Sequence, residues 1–373
     1  MLFNSVDFLV FFAFVITISV IIKNKNFSYV FLVAVSYIFF YFSNNFLISL
    51  LVFSTVLDFY IAKAIWSTDD KSKKKKLLLI SIIGNLGLLG FFKYADFGIS
   101  QFNDLFKLIG LNDVPLLEIA LPVGISFYTF QTLGYTIDVY RGQLSPAKSF
   151  KEFALFVAFF PQLVAGPILR ASNFLPQIRE KFSQLDTKNY LKQILIQKTN
   201  LKIGLTLMSF GFFKKMFFAD NIAPFVDEIF LNPIGLDSFA IILGTIGFGI
   251  QLYCDFSGYS DIAIGAALIL GFKVPQNFNF PFFATSPAEF WRRWHISLST
   301  WVRDYVFFPM AINNKKSRLR IFSSLFTTMF LIGIWHGAGW NFVIFGIIHG
   351  LYVGIETSIR SIFPSLQNNS FLK

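Results

Sequence analysis

Long apolar runs separated by short polar connectors dominate the hydropathy pattern of the chain. The first half predicts four membrane spans at about residues 6–22, 28–43, 46–65 and 77–94, each close to the roughly 20 apolar residues that a hydrocarbon core requires. The stretch 95–118 is acidic and predicts a connector on the outer face.

Proline and glycine interrupt the apolar segments that follow. The run 153–167 contains Pro161, Gly166 and Pro167. It predicts a re-entrant element, because broken backbone at membrane depth survives only where protein shields it. The basic stretch 170–202 predicts a cytoplasmic segment with an amphipathic helix on the membrane surface.

The last third predicts a helix break inside the membrane. Spans at 203–218 and 238–256 flank an acidic external connector, and the polar region 257–310 predicts short re-entrant and interfacial helices. The final apolar run, 321–355, would form a helix about 50 Å long, against a hydrocarbon core of about 30 Å. Its residues Gly337, Gly339 and Asn341 supply a break, so two antiparallel spans are expected to meet there.

Composition supports the same class of protein. The chain is 55% hydrophobic and 14% charged, whereas soluble domains carry roughly 25% charged residues. It is therefore predicted to be an all-α, polytopic helical membrane protein. The N-terminal run lacks a basic region and a cleavage site, which predicts a retained first span. The single Cys254 excludes an internal disulfide and a thiolate metal cluster.

The net charge of +11 is distributed as a topology signal, which argues against nucleic acid as a partner. Lysine and arginine collect in short connectors, as they do on the cytoplasmic side of membrane proteins. This pattern predicts an external N-terminus in a cell (inner) membrane. The run Lys73–Lys76 could also contact anionic lipid.

The three histidines of the chain lie in its last third, and His336 is the strongest candidate for chemistry. An ionisable residue inside a span is costly and usually functional, and imidazole can act as a base near neutral pH. The alternative is a hydrogen bond between helices. The neighbouring Trp335 offers a pocket wall and favours function. Counted from Arg320, His336 lies roughly 24 Å along a helix, in the outer half of the membrane.

A second candidate region surrounds His295. Arg292 and Arg293 could grip a phosphate with their guanidinium groups, or could form an interfacial belt with Trp294. Taken alone, the residues favour the belt. His349 is predicted to be structural. It would lie on the face opposite His336 on a continuous helix, but the glycine break leaves its face open.

A polar group interrupts the apolar run near residue 257. Buried carboxylates there would need arginine or hydroxyl partners, so a structural network is predicted. Its members are Asp255, Ser257, Tyr259 and Asp261. The sequence has no metal-ligand spacing, no phosphate-cradling loop and no GxSxG elbow, so no metal and no resident cofactor are expected.

Five motifs, in this order, resemble the membrane-bound O-acyltransferases. They are LPVGISFYTFQTLGYTIDVYRG, FFPQLVAGPI, YCDFSGYSDIAIG, FWRRWHISLSTWVRDYVFFP and GIWHGAGWNFVIFGIIHG. The resemblance runs from about residue 1 to 357. It is strongest to the branch that acetylates extracellular polysaccharides such as alginate, and more distant to the proteins of teichoic acid D-alanylation.

The resemblance implies a fold and a reaction. It implies a ring of about 9–11 transmembrane and re-entrant helices around a central funnel, with His336 and His295 as the catalytic residues. An acyl group would pass from the cytosol to an extracellular polysaccharide or a partner transferase. The expected group is acetyl, and the expected donor is acetyl-CoA. Residues implied in substrate or donor binding are Arg292, Arg293, Trp294, Trp335 and Asn341.

Two departures from the family pattern stand near the C-terminus. After Phe308-Pro309 many relatives carry a glycine-rich element, where this chain has MAINNKKSRLR. Relatives also continue for several helices, so residues 1–373 are expected to form a single domain that lacks the usual C-terminal helices. Two other functions remain open: a D-alanyl handoff to a cell-envelope polymer, and a non-catalytic export channel or scaffold.

Overall fold

The computed structural model describes residues 1–363 apart from 2, 23, 165, 184–197 and 313–316. All regular elements in these ranges are helical, which confirms the predicted all-α class. The middle of the basic stretch 170–202, Lys315 and the C-terminal residues fall outside them, so the surface helix predicted for 170–202 is described only in part.

The first eight helices are α1 (Val6–Ile21), α2 (Lys25–Asn44), α3 (Ile48–Trp66), α4 (Lys71–Leu108), α5 (Ile125–Tyr140), α6 (Phe150–Ala158), α7 (Phe160–Leu163) and α8 (Ala171–Ser183). The later described helices are α9 (Lys198–Phe212), α10 (Asp220–Leu231), α11 (Ser238–Ile269), α12 (Pro287–Arg293), α13 (Ile296–Val302), α14 (Phe308–Ala311), α15 (Arg318–His336) and α16 (Trp340–Ile362). Two π-helical turns occupy Phe213–Ala219 and Arg303–Phe307.

Five helical stretches of the described chain are long and apolar enough to cross a membrane, which supports a multi-pass membrane protein. They are 26–66, 71–108, 238–269, 318–336 and 340–362. Side-chain caps define several helix starts, as at α11, where the Asp237 carboxylate accepts from the Ala240 N–H at 2.7 Å.

Helix α4 continues through the predicted outer connector to Leu108, so that boundary was wrong. The polar residues expected to end the helix bind the chain that folds back on it. Asp96 accepts from the N–H of Leu117 at 2.7 Å, and Asn103 accepts from the N–H of Val114 at 2.8 Å. Their polarity is satisfied laterally, and the helix does not need to stop.

Two further predicted boundaries were wrong for a related reason. Helix α10 occupies most of the predicted external connector, and α11 runs to Ile269, well into the region expected to hold short helices. The acidic residues of α11 are paired with lysines on a neighbouring helix, as described below, so their charges do not interrupt it. Short helices do occur further on, at α12, α13 and α14.

The chain divides into two compact units, residues 1–78 with 126–276 and residues 79–125 with 277–373. Phenylalanine rings fill the core of the first unit. Phe159 lies 5.0 Å from both Phe174 and Phe272, measured between ring centroids, and all three are buried. The predicted break in the run 153–167 is present as the step from α6 to α7 at Phe159.

Glycine allows close helix packing in the second unit. A Cβ added at Gly333 of α15 would lie 2.5 Å from the Cα of Gly346 of α16, so the two backbones are in contact. Phe326 and Phe322 lie over Gly350 and Gly354 further along the same pair. This contact fixes α15 against α16 and thereby the position of the α15 end. The predicted ring of helices, its central funnel and the single-domain organisation stay predictions.

Candidate functional site

His336 is the last residue of α15, and the chain turns at Gly337 before α16 begins at Trp340. The Phe342 ring lies against Gly337, where a side chain would collide with it. The predicted helix break is therefore present. The His336 imidazole therefore lies at the junction between two apolar helices and is half-buried.

Two side chains of α4 bind the carbonyl end of α15. The Lys93 ammonium donates to the Trp335 carbonyl oxygen, and the Tyr94 hydroxyl donates to the Ile334 carbonyl oxygen at 2.6 Å. The last carbonyls of a helix have no intrahelical partner and carry partial negative charge. Lys93 and Tyr94 therefore stabilise the backbone that presents His336.

The Trp335 indole lies at the centre of the cluster. Its ring centroid is 5.0 Å from that of His336 and 5.9 Å from that of His295. The Lys93 ammonium lies 5.4 Å from the same ring, within the range of a cation–π interaction. Phe345 of α16 packs edge-on against His336 at 5.6 Å. The two predicted catalytic histidines thus both contact the ring of Trp335.

His295 joins α12 to α13 in a left-handed conformation, with φ of +43°. Such backbone costs about 1–3 kcal/mol for a residue other than glycine and is typical of functional sites. Asn277 holds the junction: its carbonyl accepts from the Ile296 N–H at 2.9 Å, and its side-chain oxygen accepts from the Ser297 hydroxyl at 2.9 Å. Burial, with His336 nearby, lowers the pKa of His295 well below its ordinary range, which favours a neutral ring.

His349 lies in the same cluster, in contact with Trp291 and Phe345. The Trp291 indole N–H donates to its Nδ1 at 3.3 Å, which leaves the ring proton on Nε2. The Phe345 ring, one turn earlier on α16, lies 4.4 Å from His349. The predicted break separates His349 from the helix that ends at His336, and α16 runs back along α15.

The structure gives the three adjacent residues of the predicted anion site different surroundings. Arg292 is exposed, and the described residues offer it no carboxylate. The Arg293 guanidinium binds the Glu289 carboxylate through Nη2 at 2.6 Å. Hydrogen bonds from Thr285 and Arg293 lower the pKa of Glu289 to about 2. Trp294 is buried and stacks on Phe290 at 5.5 Å. Of the two arginines, only Arg292 is available to an incoming anion.

Asn341, the last predicted binding residue, is exposed in the first turn of α16. Its side-chain oxygen lies against Gly339, where an added Cβ would come within 2.5 Å of it. The neighbouring Trp340 indole donates to the Gln101 side-chain oxygen at 2.9 Å. These contacts hold the start of α16, while the roles of Asn341 in binding and of the histidines in catalysis stay predictions.

The predicted polar network lies in the first unit, and its carboxylates are paired with lysines. The Lys214 ammonium contacts the Asp261 carboxylate. The Lys215 ammonium binds Asp255 at 2.5 Å and Asp220 at 2.7 Å. Ser257 is buried, and Tyr259 stacks on Phe3 at 5.4 Å. The partners are therefore lysines, where arginine or hydroxyl groups were expected.

Sequence reasoning missed four residues that shape the site: Lys93, Tyr94, Asn277 and His349. Lys93 had a usable signal, because a charged residue inside an apolar run is a functional candidate by default. Asn277 had none, since it lies in an irregular segment and acts through backbone contacts.

Comparison with known proteins identifies the class of protein. A family model described as the membrane-bound O-acyltransferase family matches residues 143–371. The chain belongs to this family. The match covers the π-helical turns, the histidine cluster and the α15–α16 pair.

Individual relatives narrow the branch. A probable alginate O-acetylase of Azotobacter vinelandii is 38% identical over 332 residues, 88% of this chain and 63% of the relative. A peptidoglycan O-acetyltransferase of Helicobacter pylori is 36% identical over 358 residues, 90% of this chain and 65% of the relative. A teichoic acid D-alanyltransferase of Streptococcus thermophilus is 31% identical and covers 61% of this chain and 55% of the relative. The chain thus spans less than two thirds of the length of these relatives.

Proposed function

We propose that the protein is a membrane O-acyltransferase that moves an acetyl group from a cytosolic thioester, acetyl-CoA, to a hydroxyl group outside the cell. The acceptor is an extracellular polysaccharide or a partner transferase. The observation that carries the proposal is the cluster of His336 and His295 around Trp335 at a helix break in the membrane. Relatives named as O-acetyl-transferring proteins of two polysaccharides support the choice of acetyl group and acceptor.

His336 acts as the general base in this proposal. It removes the proton of the acceptor hydroxyl, and such base catalysis contributes roughly 10²–10⁴ in rate. Its place at the end of α15 leaves the imidazole partly accessible, while Trp335 and Phe345 limit the orientations of its ring. His295, buried behind the same indole, orients Trp335 and excludes water.

A D-alanyl handoff is the second candidate function. The teichoic acid relative supports it, but that relative matches 61% of the chain, against 88% and 90% for the acetylating relatives. A non-catalytic export channel or scaffold explains neither the strained histidine junction nor the intramembrane imidazole. We therefore rank acetyl transfer first.

Replacing His336 with alanine tests the proposal. The His336→Ala protein should insert and fold but lose acetyl transfer, because the base that accepts the hydroxyl proton is gone. Mass spectrometry of surface polysaccharide from cells with equal protein abundance measures the loss. Thr328→Val is the matched control on α15, since the Thr328 hydroxyl donates to the Ser324 carbonyl of its own helix at 2.6 Å; it should acetylate normally. Full acetylation by the alanine variant removes His336 from the reaction.

The orientation in the membrane is part of the proposal: the N-terminus faces outward and the basic connectors face the cytoplasm, in the inner membrane. The positive-inside rule supports it. In a Cys254→Ser background, Ser72→Cys should resist an impermeant thiol reagent added to intact cells. Ile234→Cys is the matched external control, because Ile234 is 98% exposed between α10 and α11. Labelling at position 72 with protection at 234 shows the reverse orientation.

A further inference from the structure

Lys93 is an intramembrane cation to which the described residues offer no carboxylate partner. Lys214 and Lys215, which also lie between apolar segments, each bind aspartate. Within the part of the chain that the structure describes, Lys93 forms no ion pair, and its hydrogen bond goes to the Trp335 carbonyl. Asp96, one turn further along α4, accepts the backbone N–H groups of Leu117 and Ile119. A lone ammonium in this setting is costly and is retained where function needs it.

The surroundings of Lys93 offset only part of its charge. The carbonyl end of α15 is equivalent to about half a negative charge, and the Trp335 ring adds a cation–π contribution. A neutral amide or hydroxyl would cap the helix equally well, as Tyr94 does for Ile334. The helix cap therefore explains a hydrogen-bond donor at position 93 but does not explain a positive charge.

We propose that Lys93 is a further catalytic residue of the acyl-transfer site, and that its ammonium stabilises the oxyanion formed when the acyl carbonyl is attacked. This inference rests on the proposed function. The ammonium contacts Trp335, the residue that precedes His336, and the two rings are in contact. If His336 is the base, the acyl carbon must come close to this part of the site. A fixed positive charge beside the negative charge that develops in the transition state, in a site that excludes water, increases the reaction rate strongly.

The transfer balances with these two residues. An imidazole nitrogen of His336 takes the proton of the acceptor hydroxyl as its oxygen bonds to the acyl carbon. The carbonyl electron pair moves onto the carbonyl oxygen, which becomes the oxyanion beside Lys93. When that pair returns, the C–S bond breaks, and the leaving thiolate takes the proton held by His336.

Variants at Lys93 and Tyr94 separate this role from helix capping. Lys93→Gln keeps a hydrogen-bond donor without charge, Lys93→Met removes both, and Lys93→Arg keeps the charge. Tyr94→Phe is the matched control, because it removes the neighbouring cap and leaves the ammonium in place. Transfer from radiolabelled acetyl-CoA is measured in inside-out membrane vesicles, which retain membrane partners, with melting temperatures of the purified proteins alongside.

Lys93→Gln and Lys93→Met should lower kcat by about 10²-fold, the loss typical of one oxyanion donor, with the donor KM within about threefold. Lys93→Arg should retain more activity than Lys93→Gln, and Tyr94→Phe should lose far less than either. Wild-type activity in Lys93→Gln, or equal losses in Lys93→Gln and Tyr94→Phe, overturns the proposed role of Lys93. The proposed function is unaffected by either result. Vesicles in which the wild-type protein transfers no acetyl group overturn the proposed function, and this inference with it.

Discussion

Both units contain an antiparallel helix pair with glycine at the contact, and the two pairs handle charge in opposite ways. In the α9–α11 pair, a Cβ added at Gly211 would lie 2.6 Å from the Gly258 carbonyl oxygen, and the nearby lysines are paired with aspartates. In the α15–α16 pair, Gly333 meets Gly346 just as closely, but the end of α15 carries His336 and binds Lys93 of α4, which forms no ion pair with the described residues. Close packing is common to both. Among the described residues, the lysines beside the first glycine contact are paired with aspartates, whereas His336 and Lys93 beside the second have no carboxylate partner.

The largest expected effect comes from widening each glycine contact. Gly333→Ala and Gly211→Ala should each destabilise the fold by about 1–3 kcal/mol, because the added methyl meets backbone that cannot move aside cheaply. Activity per folded molecule should fall sharply only in Gly333→Ala, since that change shifts the end of α15.

The matched control for both glycine variants is Gly90→Ala on α4. No atom lies within 4 Å of a Cβ added there, so this change should be neutral or slightly stabilising. Melting temperature and acetyl transfer, measured on the same preparations, check all three. Equal specific activity in the Gly333 and Gly211 variants would remove the functional difference between the two pairs.

A smaller effect is expected when one partner of the paired charges is removed. Lys214→Met leaves the Asp261 carboxylate without its lysine and should cost up to about 1 kcal/mol, because both side chains keep part of their contact with solvent. The double change Lys214→Met with Asp261→Leu should recover most of that loss, because apolar residues can replace a buried ion pair. Thermal unfolding in detergent measures both, with specific activity unchanged. A double variant less stable than the single one would show that the pair does more than neutralise charge.

The smallest expected effect distinguishes Arg292 from Arg293. Arg292→Lys should raise the KM for acetyl-CoA by up to about tenfold, which is about 1.4 kcal/mol of binding, because lysine cannot grip a phosphate with two donors. Arg293→Lys should leave KM unchanged and lower the melting temperature slightly, since its guanidinium already binds Glu289. Unchanged KM in both variants favours an interfacial belt and leaves the donor site unassigned.

The sequence predicted those parts of the site that follow from the free-energy cost of a polar side chain or an overlong helix in the membrane. An imidazole in an apolar run and a 35-residue stretch too long for one span, 321–355, both pointed to a break next to His336. The prediction of a helical membrane protein followed from composition, because charged residues are costly in a membrane and make up only 14% of the chain. These features are local, so one pass along the chain finds them.

The missed parts depend on which segments meet in space. Lys93 had a local signal, but its contact with the carbonyl end of α15 joins segments far apart in the chain. The face of His349 stayed open, because the break next to His336 hides how the two helices face each other. The lysine partners of Asp255 and Asp261 depend on a π-helical turn, which hydropathy does not reveal.

That turn, Phe213–Ala219, also sets the register of everything after it. A π-helical turn accommodates one residue more than an α-helical turn, so it changes the angle between neighbouring side chains and lets the adjacent Lys214 and Lys215 both reach α11. Deleting a single residue there would restore a regular helix and rotate α10 by about 100° about its axis. A shortened homologue in this stretch should therefore show a shifted apolar stripe along α10, and the alignment of such sequences needs its gap inside the turn.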